Sequence, residues 1–105
     1  MVAALGGTLV MASAQGRREI NVDELWVSYG VTARADNELA LELHLPAPAA
    51  GTVSAFQRLT RVNEDLAKLN VAVCLDMDGS HCKSARFAMG CVAPTMIRLP
   101  SAEAV

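Results

Sequence analysis

The chain has 105 residues, room for one small domain or for pieces of two. Its net charge is −2 and no stretch is strongly basic, which excludes the electrostatic footprint of a nucleic-acid binder. Hydrophobic residues make up 52% and charged residues 19%, and a mean hydropathy of +0.29 is high for a free-standing domain this small, so part of the apolar surface is expected to face something outside this chain.

Three cysteines, Cys74, Cys82 and Cys91, form no CxxC pair. An odd number argues against a disulfide framework and suits a reducing compartment such as the cytoplasm. No apolar run approaches the ~20 residues of a membrane span. Met1 to Ala14 is apolar and ends in a small-residue Ala12-Ser13-Ala14, but it lacks a positive start and is broken by Gly6-Gly7. It reads as a strand entering a core rather than as a signal peptide.

Thr8–Ala14 and Arg17–Val22 flank a Gln15-Gly16 turn and predict a hairpin. Asn21, with Glu24 three positions on, fits a capping-box spacing and predicts a short helix over 22–27, with Leu25 and Trp26 inward. Core packing is the expected role of Trp26 and Tyr29. After an Ala35-Asp36-Asn37 turn, Leu39, Leu41, Leu43 and Leu45 alternate with Ala40, Glu42 and His44, which predicts a strand with one leucine face. Pro46 stops it, and Ala47 to Gly51 is a small-residue linker and the candidate domain boundary.

Val53 to Pro100 reads as the organising unit: strand, short helix, strand, tight turn, strand. Asn63 is the expected cap of the helix, Glu64 and Asp65 its first turn, Lys68 its last, with Val62, Leu66 and Leu69 as an apolar stripe. Val71, Val73, Leu75 and Met77 alternate with Ala72, Cys74 and Asp76; Asp78-Gly79 marks a hairpin; Ala85, Phe87 and Met89 alternate on the return. Phe56 is the expected core anchor. Ser101 is the expected cap of a C-terminal helix that is cut off before two turns, as in a truncated chain. The fold class that follows is α+β, a small antiparallel sheet with short helices packed on one side.

Few residues suggest chemistry of their own. His81-Cys82 adjoins a hairpin tip and matches no zinc spacing. Asp76 and Asp78 lack the register of a calcium loop. Gly6-Gly7 is followed by no phosphate-loop pattern. His44 is expected on a solvent or interface face.

Three segments, GRREINVDELWVSYGVTARADNELALELHLP, SAFQRLTRVNEDLAKLNVAV and FAMGCVAPTMIRLPSAEA, agree in order and spacing with one family. The pattern runs GxR-x-[IV]-x-V, T-x₅-E-L, [SG]AF[KQ]-x₃-R and G-x-VAPT-x-IR. It closely resembles the FAD-binding subunit of molybdenum hydroxylases, the xanthine dehydrogenase, aldehyde oxidase and carbon monoxide dehydrogenase enzymes. The resemblance implies that residues 1–48 are the end of an FAD-binding domain and 51–105 the start of a C-terminal α+β domain. It also implies that FAD is held only with a further N-terminal part, whose AGGT-type diphosphate loop has no counterpart in this sequence.

Molybdopterin and iron–sulfur clusters would lie on partner subunits, and electrons would pass through FAD to NAD or another acceptor. Leu39 and Ala40 match positions that the family places against the isoalloxazine ring. Gln57 stands where many members have a flavin-contacting lysine, and Val62 replaces a commonly basic residue. Arg58 to Lys68 matches a loop over the flavin in xanthine dehydrogenases, with Arg61 and Glu64 at a basic and an acidic position and expected to pair. The competing expectation is a non-catalytic interaction or scaffold module that has lost flavin.

Overall fold

The computed structural model describes residues 1–104. Nine strands and two four-residue helices follow in order: β1 (Thr8–Ser13), β2 (Gly16–Asn21), α1 (Val22–Leu25), β3 (Trp26–Ser28), β4 (Val31–Thr32), β5 (Leu39–His44), β6 (Thr52–Leu59), β7 (Leu69–Asp78), β8 (His81–Gly90), β9 (Ile97–Arg98) and α2 (Pro100–Glu103). They form three antiparallel sheets, β2-β1-β5, β3-β4 and β6-β7-β8-β9. The α+β expectation therefore stands, with small sheets and short helices alongside. Neither helix is long and apolar enough to cross a membrane.

The two main hairpins form close to where turn chemistry places them. Asp78 pairs with His81, so the tip is Gly79-Ser80 rather than Asp78-Gly79. Among the non-strand residues here only Gly79 takes positive φ, +59°, which fits a turn needing one left-handed residue rather than the two of type I′. Asn21 caps α1 by accepting from the Asp23 N–H at 3.1 Å. α1 stops at Leu25, and Trp26 opens β3.

The core lies where the N-terminal turn meets the four-stranded sheet. Residues 1–7 fold back on themselves, with Leu5, Gly6 and Gly7 donating to the carbonyls of Met1, Ala3 and Val2. The N-terminal stretch is thus a turn before a strand, not a continuous strand. Ala3 and Ala4 join Val22, Ala72, Cys74 and Ala88 in one buried cluster, with Val2, Leu5, Leu9 and Met96 packed on it. On β7 the best buried side chains are therefore Ala72 and Cys74, and Val71, Val73 and Leu75 are only half-buried. Small side chains win because they let the N-terminal turn approach the sheet closely.

Several expected core positions are open. Tyr29 is 85% exposed at the tip of the β3–β4 hairpin, Trp26 is half-exposed, and Phe56 is 47% exposed on β6, an edge strand with β7 as its single partner. These three side chains sit at a hairpin tip, at the start of β3 and on an edge strand. The fully buried large side chain is Met11, 2% exposed.

α2 is capped differently from expectation. Leu99 is its N-cap, without a side-chain bond, and Pro100 takes the first helical position, where its missing N–H costs nothing. Glu103 instead accepts from the Phe87 N–H at 2.7 Å and from Arg98 Nε at 2.8 Å. Arg98 also reaches Asp23 Oδ2 at 2.7 Å, tying α1 to the four-stranded sheet.

Candidate functional site

Leu39 and Ala40 begin β5, and the chain leading into them is tightly held. Glu38 is the single buried charged side chain among the described residues. Arg18, on β2, donates to both its oxygens, at 2.6 and 2.8 Å, and the Ala35 N–H donates to Oε2 at 2.7 Å. Arg18 also donates to the Ala33 carbonyl at 2.7 Å, and Arg34 donates to the Ala35 and Glu38 carbonyls at 3.0 and 2.9 Å. Met11 lies on β1 between the strands that this ion pair spans; its partners are Arg18 on one side and Ala40 on the other.

The leucine row is not one face. Val10 pairs with Glu42 but Met11 pairs with Ala40, so Leu41 is an extra residue without a partner on β1. A bulge of this kind breaks the alternation. Leu43 and Ala40 share the side of Leu9 and Met11, and Leu39 shares the side of Ala12, Val10, Glu42 and His44. Leu39 is 71% exposed there, on a strand whose outer edge is unpaired. His44, exposed, meets Glu42 at 2.8 Å.

The bracket around Glu38 has a pH signature. Hydrogen bonds from Arg18 first, then from the Ala35 N–H, pull its carboxyl from 4.5 down to about 2. A folded value below the unfolded one gives stability that is complete above about pH 4.5 and is lost as pH falls towards 2. Asp76 and Glu103 are shifted downward too, so the parent protein alone does not isolate Glu38. We expect the urea midpoint to drop between pH 6 and pH 3 by less in Glu38→Gln than in the parent. Equal drops in the two proteins would count against the assignment.

Gln57, Arg61 and Glu64 lie on one continuous strand and loop. Gln57 is exposed on β6 and pairs with Val71 across the ladder. Residues 60–68 form no helix; they are bends and one turn. Leu59 pairs with Leu69 and the Lys68 N–H returns to the Leu59 carbonyl, so the connection starts and ends at neighbouring points. Within it Arg58 takes the Asn63 carbonyl, and the Asp65 carboxylate bonds the next N–H, Leu66. Nine residues tethered this way do not recover the cost of helix nucleation. Val62 and Leu66, the expected stripe, are exposed. Arg61 Nε meets Asp65 Oδ2 at 3.0 Å rather than Glu64, which has no ion pair among the described residues.

These two groups belong to different sheets, and no hydrogen bond or ion pair among the described residues links them. β5 and β6 are nonetheless consecutive strands, each at an open sheet edge and joined by the 45–51 linker. Leu39 and Gln57 stand at the ends remote from that linker. A cleft of about 620 Å³ lies instead at the linker end, lined by Leu45, Pro46, Pro48, Cys74, Asp76 and Arg86 among others. There Asp76 accepts from Thr52 and Ser84 at 2.8 and 2.7 Å, one on each flanking strand. No sequence-predicted site residue borders this cleft, and no group of three metal-ligating side chains occurs among the described residues.

Residues 54–105 match the CO dehydrogenase flavoprotein C-terminal domain. The carbon monoxide dehydrogenase medium chain of Hydrogenophaga pseudoflava is 32% identical over 95 residues, 90% of this chain and 33% of that one. The chain is homologous to one part of the CO dehydrogenase flavoprotein medium chains. The nicotine 6-hydroxylase medium subunit of Paenarthrobacter nicotinovorans is 31% identical over 97% of this chain and 35% of its own length. The solved CO dehydrogenase of Oligotropha carboxidovorans superposes with a TM-score of 0.91 at 27% identity, covering 97% of this chain and 36% of that one. The chain thus spans about one third of the length of the curated relatives it matches.

Sequence reasoning missed the Arg18–Glu38–Arg34 bracket. The available signal was the Thr32-x₅-Glu38-Leu39 spacing, in which an acidic residue directly precedes the apolar strand.

Proposed function

We propose that this chain supplies part of the FAD-binding subunit of a molybdenum-containing hydroxylase or dehydrogenase, with residues 1–48 closing an FAD-binding domain and 51–105 beginning a C-terminal one. The exposed, edge-strand placement of Leu39 carries the reading, together with the medium-chain relationship. Bound FAD would take electrons from iron–sulfur clusters, supplied with molybdopterin by partner subunits, and hand them to an acceptor.

The residues present suit the flat ring of the cofactor and not its diphosphate. Leu39 and Ala40 offer a small apolar surface that excludes water, on a strand whose outer N–H and C=O groups are free to bond ring heteroatoms. Gln57 brings an amide that both donates and accepts. Arg61 is neutralised by Asp65, which leaves the Glu64 carboxylate without an ion-pair partner among the described residues. A carboxylate near a flavin disfavours its anionic reduced form.

The test joins this chain to the part of the Hydrogenophaga medium chain that precedes the region it matches and follows FAD fluorescence. We expect saturable binding with a Kd below ~10 μM, about −7 kcal/mol, for the joined protein and none for the chain alone. Leu39→Asp should weaken it at least ~10-fold, equivalent to ~1.4 kcal/mol. In the FAD-loaded protein Glu64→Gln should raise the flavin midpoint potential, by on the order of 10–60 mV. Failure of the joined protein to bind FAD would favour the scaffold alternative.

A further inference from the structure

We infer that Glu38, clamped by Arg18 and Arg34, is a positioning residue that presets the flavin-facing end of β5; this rests on the placement of Leu39 and Ala40 at the ring proposed above. Three observations carry it. First, the bonds converge on one short segment. Arg18 and Arg34 between them hold the carbonyls of Ala33, Ala35 and Glu38, and the Glu38 carboxylate holds the Ala35 N–H, so the loop over 33–38 is closed by bonds at both ends. Leu39 is the next residue.

Second, the clamp is anchored outside β5. Arg18 belongs to β2, two strands away, and its planar fork meets both carboxylate oxygens. Such bidentate geometry fixes direction as well as distance. Met11 on β1 lies between the two and is fully buried, so it is a rigid spacer for the pair.

Third, the bulge at Leu41 bounds the same segment from the other side. Leu39 and Ala40 are therefore a two-residue unit between a clamped loop and a bulge. The bulge turns Leu39 away from the side of Leu43. An exposed leucine on an unpaired edge gains nothing for this chain's own core from so much fixing. The arrangement makes sense if the orientation of Leu39 is what is being fixed.

The experiment uses Glu38→Gln, which keeps shape and removes charge, in two settings. In the chain itself, amide hydrogen exchange should speed up at Ala35 and its neighbours through Ala40 by a factor about tenfold larger than on β7 and β8. In the FAD-loaded joined protein, the visible circular dichroism of the flavin should change and the Kd for FAD should rise about tenfold. Arg18→Lys, which keeps the charge but loses the fork, should fall between parent and Glu38→Gln on both measures.

Faster exchange spread evenly over the chain would overturn the inference, since Glu38 would then be a general stabiliser. Local loosening with an unchanged flavin signal and Kd would overturn it as well, while leaving the flavin site standing. A parent joined protein that takes no FAD would overturn the functional reading and the inference with it. Should Glu38→Gln not fold, Arg34→Gln replaces it: this change removes only the bonds to the Ala35 and Glu38 carbonyls, and the same local pattern and flavin change are expected.

Discussion

Met11→Ala should destabilise the protein by about 2–5 kcal/mol, the range for emptying a fully buried methionine site. Domains of this size have roughly 5–15 kcal/mol in total, so much of the stability is at stake. At ~4–8 °C per kcal/mol the thermal midpoint should fall by about 10 °C or more. The site is poorly able to collapse, because Arg18 and Glu38 are locked together across it. Phe56→Ala provides the contrast. Phe56 is nearly half exposed on an edge strand and should cost ~1 kcal/mol or less in this chain. A thermal midpoint that moves more for Phe56 than for Met11 would place the core elsewhere.

Gly51→Ala should be as damaging, through the backbone. Gly51 closes the linker and enters β6 with φ +89°, a left-handed value that costs a side-chain-bearing residue about 1–2 kcal/mol. A Cβ there would also overlap the Met77 carbonyl oxygen. That oxygen belongs to a paired strand, whose next bond is the Met77 N–H to the Gly51 carbonyl at 3.1 Å. Relieving the overlap means opening this end of the sheet, a further ~1–3 kcal/mol on the scale of core overpacking. Gly79→Ala is the control: φ is again positive, +59°, but open space surrounds the position. Its cost should be the backbone term alone, ~1–2 kcal/mol. Equal urea midpoints for the two variants would mean that the close approach at Met77 has no energetic weight.

Strands and tight turns were legible because their signals are local. The 69–90 hairpin, the 8–21 hairpin and the strand before Pro46 all appear close to their expected limits. What was not legible is which face of a strand is covered. Alternation in Val71 to Met77 marks a strand, but Ala72 and Cys74 win the core because the partner is a turn made of alanines. The bulge at Leu41 depends on the register against β1, which no single strand encodes. Phe56, Trp26 and Tyr29 were assigned inward on hydrophobicity, yet they sit at edges and a hairpin tip. The helix expected after Asn63 failed for a long-range reason: the pairing of Leu59 with Leu69 tethers its ends.

Of the candidate site, Leu39, Ala40, Gln57, Arg61 and Glu64 came from the resemblance, because nothing in their local pattern marks them. The bracket that holds Leu39 needed the fold. Arg18 and Glu38 are twenty positions apart and meet only across β1.

The buried cluster has a consequence in time. Ala3 and Ala4 leave the ribosome ~70 residues before Ala72 and Cys74, the side chains they pack against. At ~5–20 residues per second the interval is roughly 4–14 s. Throughout it the apolar Val2 to Leu5 stretch has only Leu9 and Val22 of its cluster to pack on, the β1–β2 hairpin between them closing within about 10 μs. The turn over residues 1–7 is thus made well before most of the surface it docks on. During that interval it is open to chaperones and to mistaken apolar contacts.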